Sequence, residues 1–143
     1  MIGYAGKAPF SRWPNGAKIA VQFVLNYEEG AENCVLHGDE ASETFLSEII
    51  NAQAFQDRHM SMESLYEYDS REGFWRLREL LDHYDVPVTV FGVGMALERN
   101  RPAVEAMLNS NWEIASHAYR WISHQEMPKD CLLYTSDAAD EGL

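Results

Sequence analysis

Basic residues are scarce in this sequence: eleven Lys and Arg face twenty-three Asp and Glu over 143 residues, a formal charge of -12. A surface of that sign repels a phosphate backbone and an anionic membrane face alike, so no nucleic-acid and no membrane partner is expected. Cysteine is scarcer still. Cys34 and Cys131 stand far apart with no His or Cys at ligand spacing, which argues against a disulfide scaffold and against a Cys-x-x-Cys zinc site. No apolar run reaches the ~20 residues of a membrane helix, and the opening Met-Ile-Gly-Tyr-Ala-Gly-Lys lacks the apolar stretch of a signal peptide. A cytoplasmic location is the expectation. The length suits one domain, or part of one, with a real core, since about 150 residues bury roughly 70% of their unfolded surface.

What the sequence does have is a long apolar stretch that ends in acids. From Ile19 to Tyr27, seven of nine residues are apolar, and Glu28-Glu29-Gly30 follow. Such a run suits a strand buried on both faces of a parallel sheet. Ligands of parallel α/β folds bind just beyond the C-terminal ends of the strands, which is where the two acids lie. Strand alternation sets Gln22, Asn26 and Glu28 on one face and Phe23, Leu25, Tyr27 and Glu29 on the other, so Glu28 is the better candidate to face a site.

The rest of the chain reads as alternating helices and strands. Residues 1–16 are rich in Gly and Pro and are expected to lie across the outside of the first strand, with Trp13 as a buried anchor. The segment from Ala31 to Asp69 has few clear periods, apart from a helical face of Phe45, Leu46, Ile49 and Ile50 within Ser42 to Ile50. Insertions of this kind beside a site are often lids or subunit contacts. Asp69 and Glu72 form a capping box ahead of a helical stripe of Phe74, Leu77, Leu80, Leu81 and Tyr84. A second strand is predicted over Val86 to Phe91, a helix with Pro102 in its first turn and Val104, Met107 and Leu108 inward, and a third strand over Trp112 to Ser116 that ends at His117. The order predicts an α/β fold built on parallel strands. Gly92-Val93-Gly94 is half of a dinucleotide fingerprint, but Leu97 stands where the third glycine belongs, and a tight strand-to-loop turn explains it.

His117 and the acid pair both end strands, so they are expected to converge at one rim of the sheet. The remaining histidines, His37, His59, His83 and His124, are scattered; His83 suits a helix C-terminus, where the dipole favours it, and His37 and His59 could contact substrate from the insertion. Tyr119 and Trp121 follow His117, and packing and substrate contact explain them equally well.

Asn26-Tyr27-Glu28-Glu29-Gly30 resembles the Thr-Phe-Asp-Asp-Gly motif that ends the first strand of the polysaccharide deacetylase (NodB-homology) superfamily. With Val35-Leu36-His37-Gly38-Asp39, Tyr66-Glu67-Tyr68, Ser70-Arg71 and Gly73-Phe74-Trp75-Arg76-Leu77, the sequence is similar to one branch, the allantoinases of the PuuE type, from about Tyr4 to about Gln125. The resemblance implies the N-terminal part of a deformed (β/α) barrel. In the superfamily, two histidines one helical turn apart join the second Asp of the first motif on a divalent metal. Here Ser116-His117-Ala118-Tyr119-Arg120-Trp121 keeps the first histidine, carries Trp121 at the second, and has Glu29 for the Asp. A catalytic zinc normally takes three protein ligands, so no metal and no cofactor is expected.

The implied reaction is hydrolytic opening of the hydantoin ring of allantoin to allantoate, a step of purine catabolism. Attack of water on a cyclic amide needs a base for the water, a donor for the oxyanion and an acid for the leaving nitrogen. The resemblance assigns Glu28 as base and His117 as acid or oxyanion donor, while Glu29 either orients His117 or disfavours ionisation of its neighbour. Asn26, Glu63, Tyr66, Arg71, Tyr119 and Trp121 are candidates to bind the ureide. Alternatives are a cyclic-imide hydrolase or an N-acetyl-sugar deacetylase, against which Trp121 counts.

From Cys131 the sequence changes character. Residues 131–143 have no counterpart in the resemblance and read as a translated sequencing adapter, with the catalytic domain confined to residues 1–130. A complete barrel takes about 250 residues, so the chain is expected to be the N-terminal half of a parent that is a homo-oligomer. A reading of another class follows: an inactive truncated piece, or an association module.

Overall fold

The computed structural model describes residues 3–125 and 127–132. The expectation for residues 131–143 therefore lies, from residue 133 on, outside the described residues. Three parallel strands form one sheet in the order β1 (Phe23–Tyr27), β2 (Val88–Gly92), β3 (Glu113–Ser116). Leu25 stands opposite Val90, and Val90 opposite Ile114. Among the described residues the α-helices are α1 (Met60–Tyr68), α2 (Phe74–His83), α3 (Gly94–Arg99) and α4 (Arg101–Asn109).

One face of the sheet is covered. Leu25 and Tyr27 of β1, Val88 and Val90 of β2 and Ile114 of β3 pack against Phe74, Leu97, Val104 and Met107 of the helices, with Trp112 just before β3. Phe74 meets Tyr27 edge-on at 5.3 Å and Trp112 at 6.3 Å. The Tyr27 hydroxyl accepts a 2.7 Å bond from Asn100 Nδ2, and burial pushes its pKa up to about 12. A Cβ on Gly92 would come within 2.7 Å of Leu97 Cδ1. The leucine at the place of the missing third glycine thus packs straight onto the strand end.

The other face is open. Val24 and Asn26, Thr89 and Phe91, and Glu113 lie along it at matched register. Gln22 Nε2, just before β1, donates to Thr89 Oγ1 at 3.2 Å, and that hydroxyl donates to Glu113 at 2.8 Å, a polar stripe that runs on across β2 and β3. The expectation of a first strand buried on both faces is therefore corrected: Phe23 and Val24 are nearly half exposed. The strand is also shorter than Ile19 to Tyr27, because β2, its one neighbour among the described residues, pairs only from Phe23 onward.

Other expectations change for local reasons. The Gly- and Pro-rich lead-in does not cover β1, and Trp13 is 43% exposed rather than a buried anchor. Ser42 to Ile50 forms turns, not a helix. There the Glu43 carboxylate accepts the amides of Thr44 and Phe45, and Ser42 bonds Phe55 through its backbone and hydroxyl, local bonds that compete with a helical ladder. Asp69 is not the N-cap of α2; it closes the C-terminal end of α1. It sits at φ -64° inside a run that begins at Met60 and passes through a wider turn, Asp69–Gly73, into α2. Of the expected stripe, Phe74 is buried, while Leu77, Leu80 and Tyr84 stay exposed. Pro102 falls in the first turn of α4, with Asn100 Oδ1 as its cap. Among the described residues no helix is long and apolar enough to cross a membrane.

Candidate active site at the C-terminal rim of the sheet

Glu28 follows Asn26 by two residues and so continues the open face of the sheet past the end of β1. Asn26 Nδ2 donates to Glu28 Oε1 at 3.1 Å. His117 follows the end of β3, where its amide extends the ladder by donating to the Gly92 carbonyl at 3.1 Å. Its Nε2 meets the same Glu28 Oε1 at 3.1 Å, and Phe91, on the same face, lies beside the imidazole at 5.6 Å between ring centres. Two contacts thus converge on one carboxylate oxygen, and among the described residues Oε2 is left for a water or a substrate. Ala118, next in the chain, adopts φ 61°. Its carbonyl and that of Tyr119 accept the first two amides of α3, which fixes the loop that carries His117.

Glu29 goes the other way. It lies on the Tyr27 side, where it lines a hollow of about 200 Å³ with Asp69, Gly73 and Phe74. Its Oε2 accepts the Glu28 amide at 3.1 Å. Burial first, then the charges of Asp69 and Glu28, raises its pKa above the usual carboxylate range. The hydrogen bond that orients His117 therefore comes from Glu28 rather than Glu29. Gly30, at φ +100°, a value L side chains rarely adopt, turns the chain back after the acids.

The other sequence candidates spread out. The Trp121 ring packs edge-on against Phe45 at 5.2 Å and Tyr66 at 5.9 Å, and its amide bonds the Ala31 carbonyl at 3.1 Å. Tyr66 is buried, and its hydroxyl has no hydrogen-bond partner among the described residues. Burial and the charge of Glu43 push its phenol well above the usual range. Glu63 and Tyr66 line a hollow of about 110 Å³ with Gly30, Glu32 and His37, but Glu63 is held by Arg58 at 2.6 Å. Arg71 pairs with Glu67 and is largely exposed, and the Tyr119 hydroxyl bonds Glu98 at 2.9 Å. The structure thus joins Asn26, Glu28 and His117 directly, brings Tyr66 and Trp121 together, and sets Tyr119 and Arg71 against other partners.

This sheet and rim recur in known proteins. The model of the polysaccharide deacetylase family matches residues 58–140, more than half of the sequence. The chain belongs to that family. A fission-yeast protein (Schizosaccharomyces pombe) named among the polysaccharide deacetylases is 43% identical over 134 residues, 91% of this chain and 42% of its own length. The crystal structure of a PuuE allantoinase superposes with a TM-score of 0.90 at 49% identity, covering 96% of this chain and 46% of that one. A structure of a Pseudomonas aeruginosa PAO1 protein, named as a polysaccharide deacetylase, superposes at 0.91 with 52% identity, over 98% and 47%. The chain spans less than half the length of each of these relatives. Its three parallel strands are the NodB-like deacetylase sheet, open rather than closed into a barrel.

The family's metal pattern is not assembled by the residues present. Trp121 offers an indole N–H, a donor only, where the pattern has a second imidazole. Glu29 lies among residues of the helix-covered side, and His117 Nε2 is engaged by Glu28. Among the described residues no group of three or more His, Cys, Asp or Glu side chains is arranged to hold a metal ion.

Sequence reasoning missed the partners that hold the rim in place. Arg120 grips Asp39 with two bonds, at 2.7 and 2.8 Å, and Arg99 bonds the Gly30 carbonyl and lies 2.8 Å from His37 Nδ1. Phe91 beside His117 was also missed. Arg120 lies in the loop after β3 and Arg99 ends α3, and their partners are far from them in sequence.

Proposed function

We infer that this chain supplies the general base and its imidazole partner to a hydrolase that opens a cyclic amide ring, allantoin to allantoate, without a metal ion. The observation that carries the reading is the 3.1 Å contact between Glu28 Oε1 and His117 Nε2 at the ends of β1 and β3, combined with Trp121 where a second metal-binding histidine would stand. The 49% identity to a PuuE allantoinase over 96% of the chain supports the substrate class.

In this reading Glu28, through Oε2, takes a proton from water as its oxygen bonds to the ring carbonyl carbon. The electron pair of the carbonyl moves to oxygen, and a hydrogen-bond donor stabilises that oxyanion. As the oxyanion collapses, the C–N bond breaks, and protonated His117 gives its proton to the leaving nitrogen. The products are a carboxylic acid and a free ureide N–H, with one water consumed. After the products leave, the proton on Glu28 Oε2 passes to bulk water and His117 regains one from it, which resets the pair. The substrate is a small polar ureide, and no nucleic acid or membrane enters the reaction.

The second reading, an N-acetyl-sugar deacetylase, is favoured by the names of the Pseudomonas and yeast relatives. One experiment separates them. The full-length protein is freed of metal by exhaustive chelation and given allantoin or an N-acetylated oligosaccharide, with allantoate and acetate quantified. Allantoate formation that survives chelation is the expected result. Acetate release that needs added zinc or cobalt, with no allantoate, would replace this reading with the second.

A further inference from the structure

We propose that Arg120 is a positioning residue: it fastens the segment after β1 to the loop after β3 and so sets Glu28 against His117, an inference that rests on the acid–base reading above. Three consecutive carbonyls follow the acid pair, and each is held from elsewhere in the chain. Gly30 is taken by Arg99, Ala31 by the Trp121 amide at 3.1 Å, and Glu32 by Arg120 Nη2 at 3.1 Å. The same guanidinium forks onto Asp39, with Nη1 on Oδ1 at 2.7 Å and Nη2 on Oδ2 at 2.8 Å. Asp39 Oδ2 also accepts the Cys34 amide at 2.9 Å, so residues 34–39 close on themselves.

The side chains of Arg120 and Asp39 are only 19% and 16% exposed, which protects the pair from the screening that makes surface ion pairs weak. The Asp39 carboxylate is held below its usual range, chiefly by the Arg120 hydrogen bond. Arg120 is three residues from His117, and Glu32 is four from Glu28. The route His117 to Arg120 to Glu32 to Glu28 is thus a short ring, closed by the Glu28–His117 contact. One side chain spans both loops that carry the reacting groups. Residues 31–39, the first part of the insertion, accordingly form a wall beside the acid pair. A planar fork reaching two carboxylate oxygens and a carbonyl at once is something a lysine ammonium does not reproduce.

The test uses the full-length protein and four variants: Arg120→Ala, Arg120→Lys, Asp39→Asn and, as reference, Glu28→Gln. A displacement near 1 Å costs about 10²-fold in turnover, so Arg120→Ala and Arg120→Lys are expected to lower kcat by about one to two orders of magnitude while KM changes little. Millimolar free guanidinium should restore part of the Arg120→Ala loss and none of the Glu28→Gln loss. Independently of any substrate, the imidazole ¹⁵N resonances of His117 in Arg120→Ala should move toward those of Glu28→Gln, the signature of a broken pair. If Arg120→Ala fails to melt cooperatively, Arg120→Lys and Asp39→Asn carry the same readouts. Unchanged His117 resonances overturn the proposal, whether or not activity falls, because Arg120 would then act on substrate or on stability alone. If the wild-type protein turns over no cyclic amide, the acid–base reading fails, while the resonances still decide the fastening.

Discussion

The two faces of the three-stranded sheet differ in what they carry, and the adjacent glutamates mark the divide. On the covered face, Tyr27, Val90 and Met107 are at most 1% exposed, and Glu29, at the end of that face, is a carboxylate held where burial disfavours its charge. On the open face, Asn26, Thr89 and Glu113 are joined by hydrogen bonds into polar sets, and Glu28 meets His117. Covered and open faces thus separate stability from chemistry within one strand, at a spacing of one residue. A single-residue slip of register would exchange the roles of the two acids.

The largest expected effect sharpens that divide. In the full-length protein, Glu28→Gln should lower turnover by about 10²–10⁴-fold, the usual contribution of positioned proton transfer, with substrate binding little altered. Glu29→Gln should stay well short of that range. Near wild-type turnover in Glu28→Gln with a large loss in Glu29→Gln would invert the comparison, and steady-state kinetics on both variants read it directly.

A second effect is on stability. Met107→Ala removes a fully buried side chain of the covered face and should cost about 2–5 kcal/mol by urea unfolding. Val24→Ala, at a position 45% exposed on the open face, should stay within about 0.5 kcal/mol in the chain of residues 1–143. If the same Val24 change costs clearly more in a polypeptide of the relatives' length, that face is covered there, and the size of the increase measures the covering.

The smallest effect is on pH dependence, and its sign differs between the two sides. Asp39 has a lowered pKa in the folded chain because of Arg120. Its contribution to stability is complete above the unfolded value of about 3.9 and is lost as pH falls below that through the folded value. Glu29 has a raised pKa because of burial. The folded state then holds its proton longer, so stability falls as pH rises from the unfolded value of about 4.3 up through the folded one. Melting curves from pH 2 to 7 should therefore show Asp39→Asn removing part of the loss below pH ~4 and Glu29→Gln removing part of the loss above it.

Much of this was legible in the residues, for stated reasons. The apolar runs around Leu25, Val90 and Ile114 and Pro102 in a first helical turn are local signals, and local signals located three strands and α4. His117 and Glu28 were legible together because both end strands, and parallel pairing brings strand ends to one rim. The insertion was not legible. Helix α1 turns only Met62 and Tyr66 into the interior, too sparse a stripe to stand out, and Phe45 and Ile50 imitate a helical face that the Glu43 and Ser42 bonds undo. Nor did anything local point to Arg120 and Asp39, eighty-one residues apart: a pair of that kind exists only once the fold has formed.

The central claim is that Glu28 and His117 act as one unit. A double-mutant cycle in the metal-free, full-length protein tests it most directly, with allantoate formation as the readout for Glu28→Gln, His117→Ala and the pair. Groups that act together lose their function once, so the double variant should be about as slow as the slower single one. Losses that multiply would contradict the account and return Glu28 and His117 to separate roles.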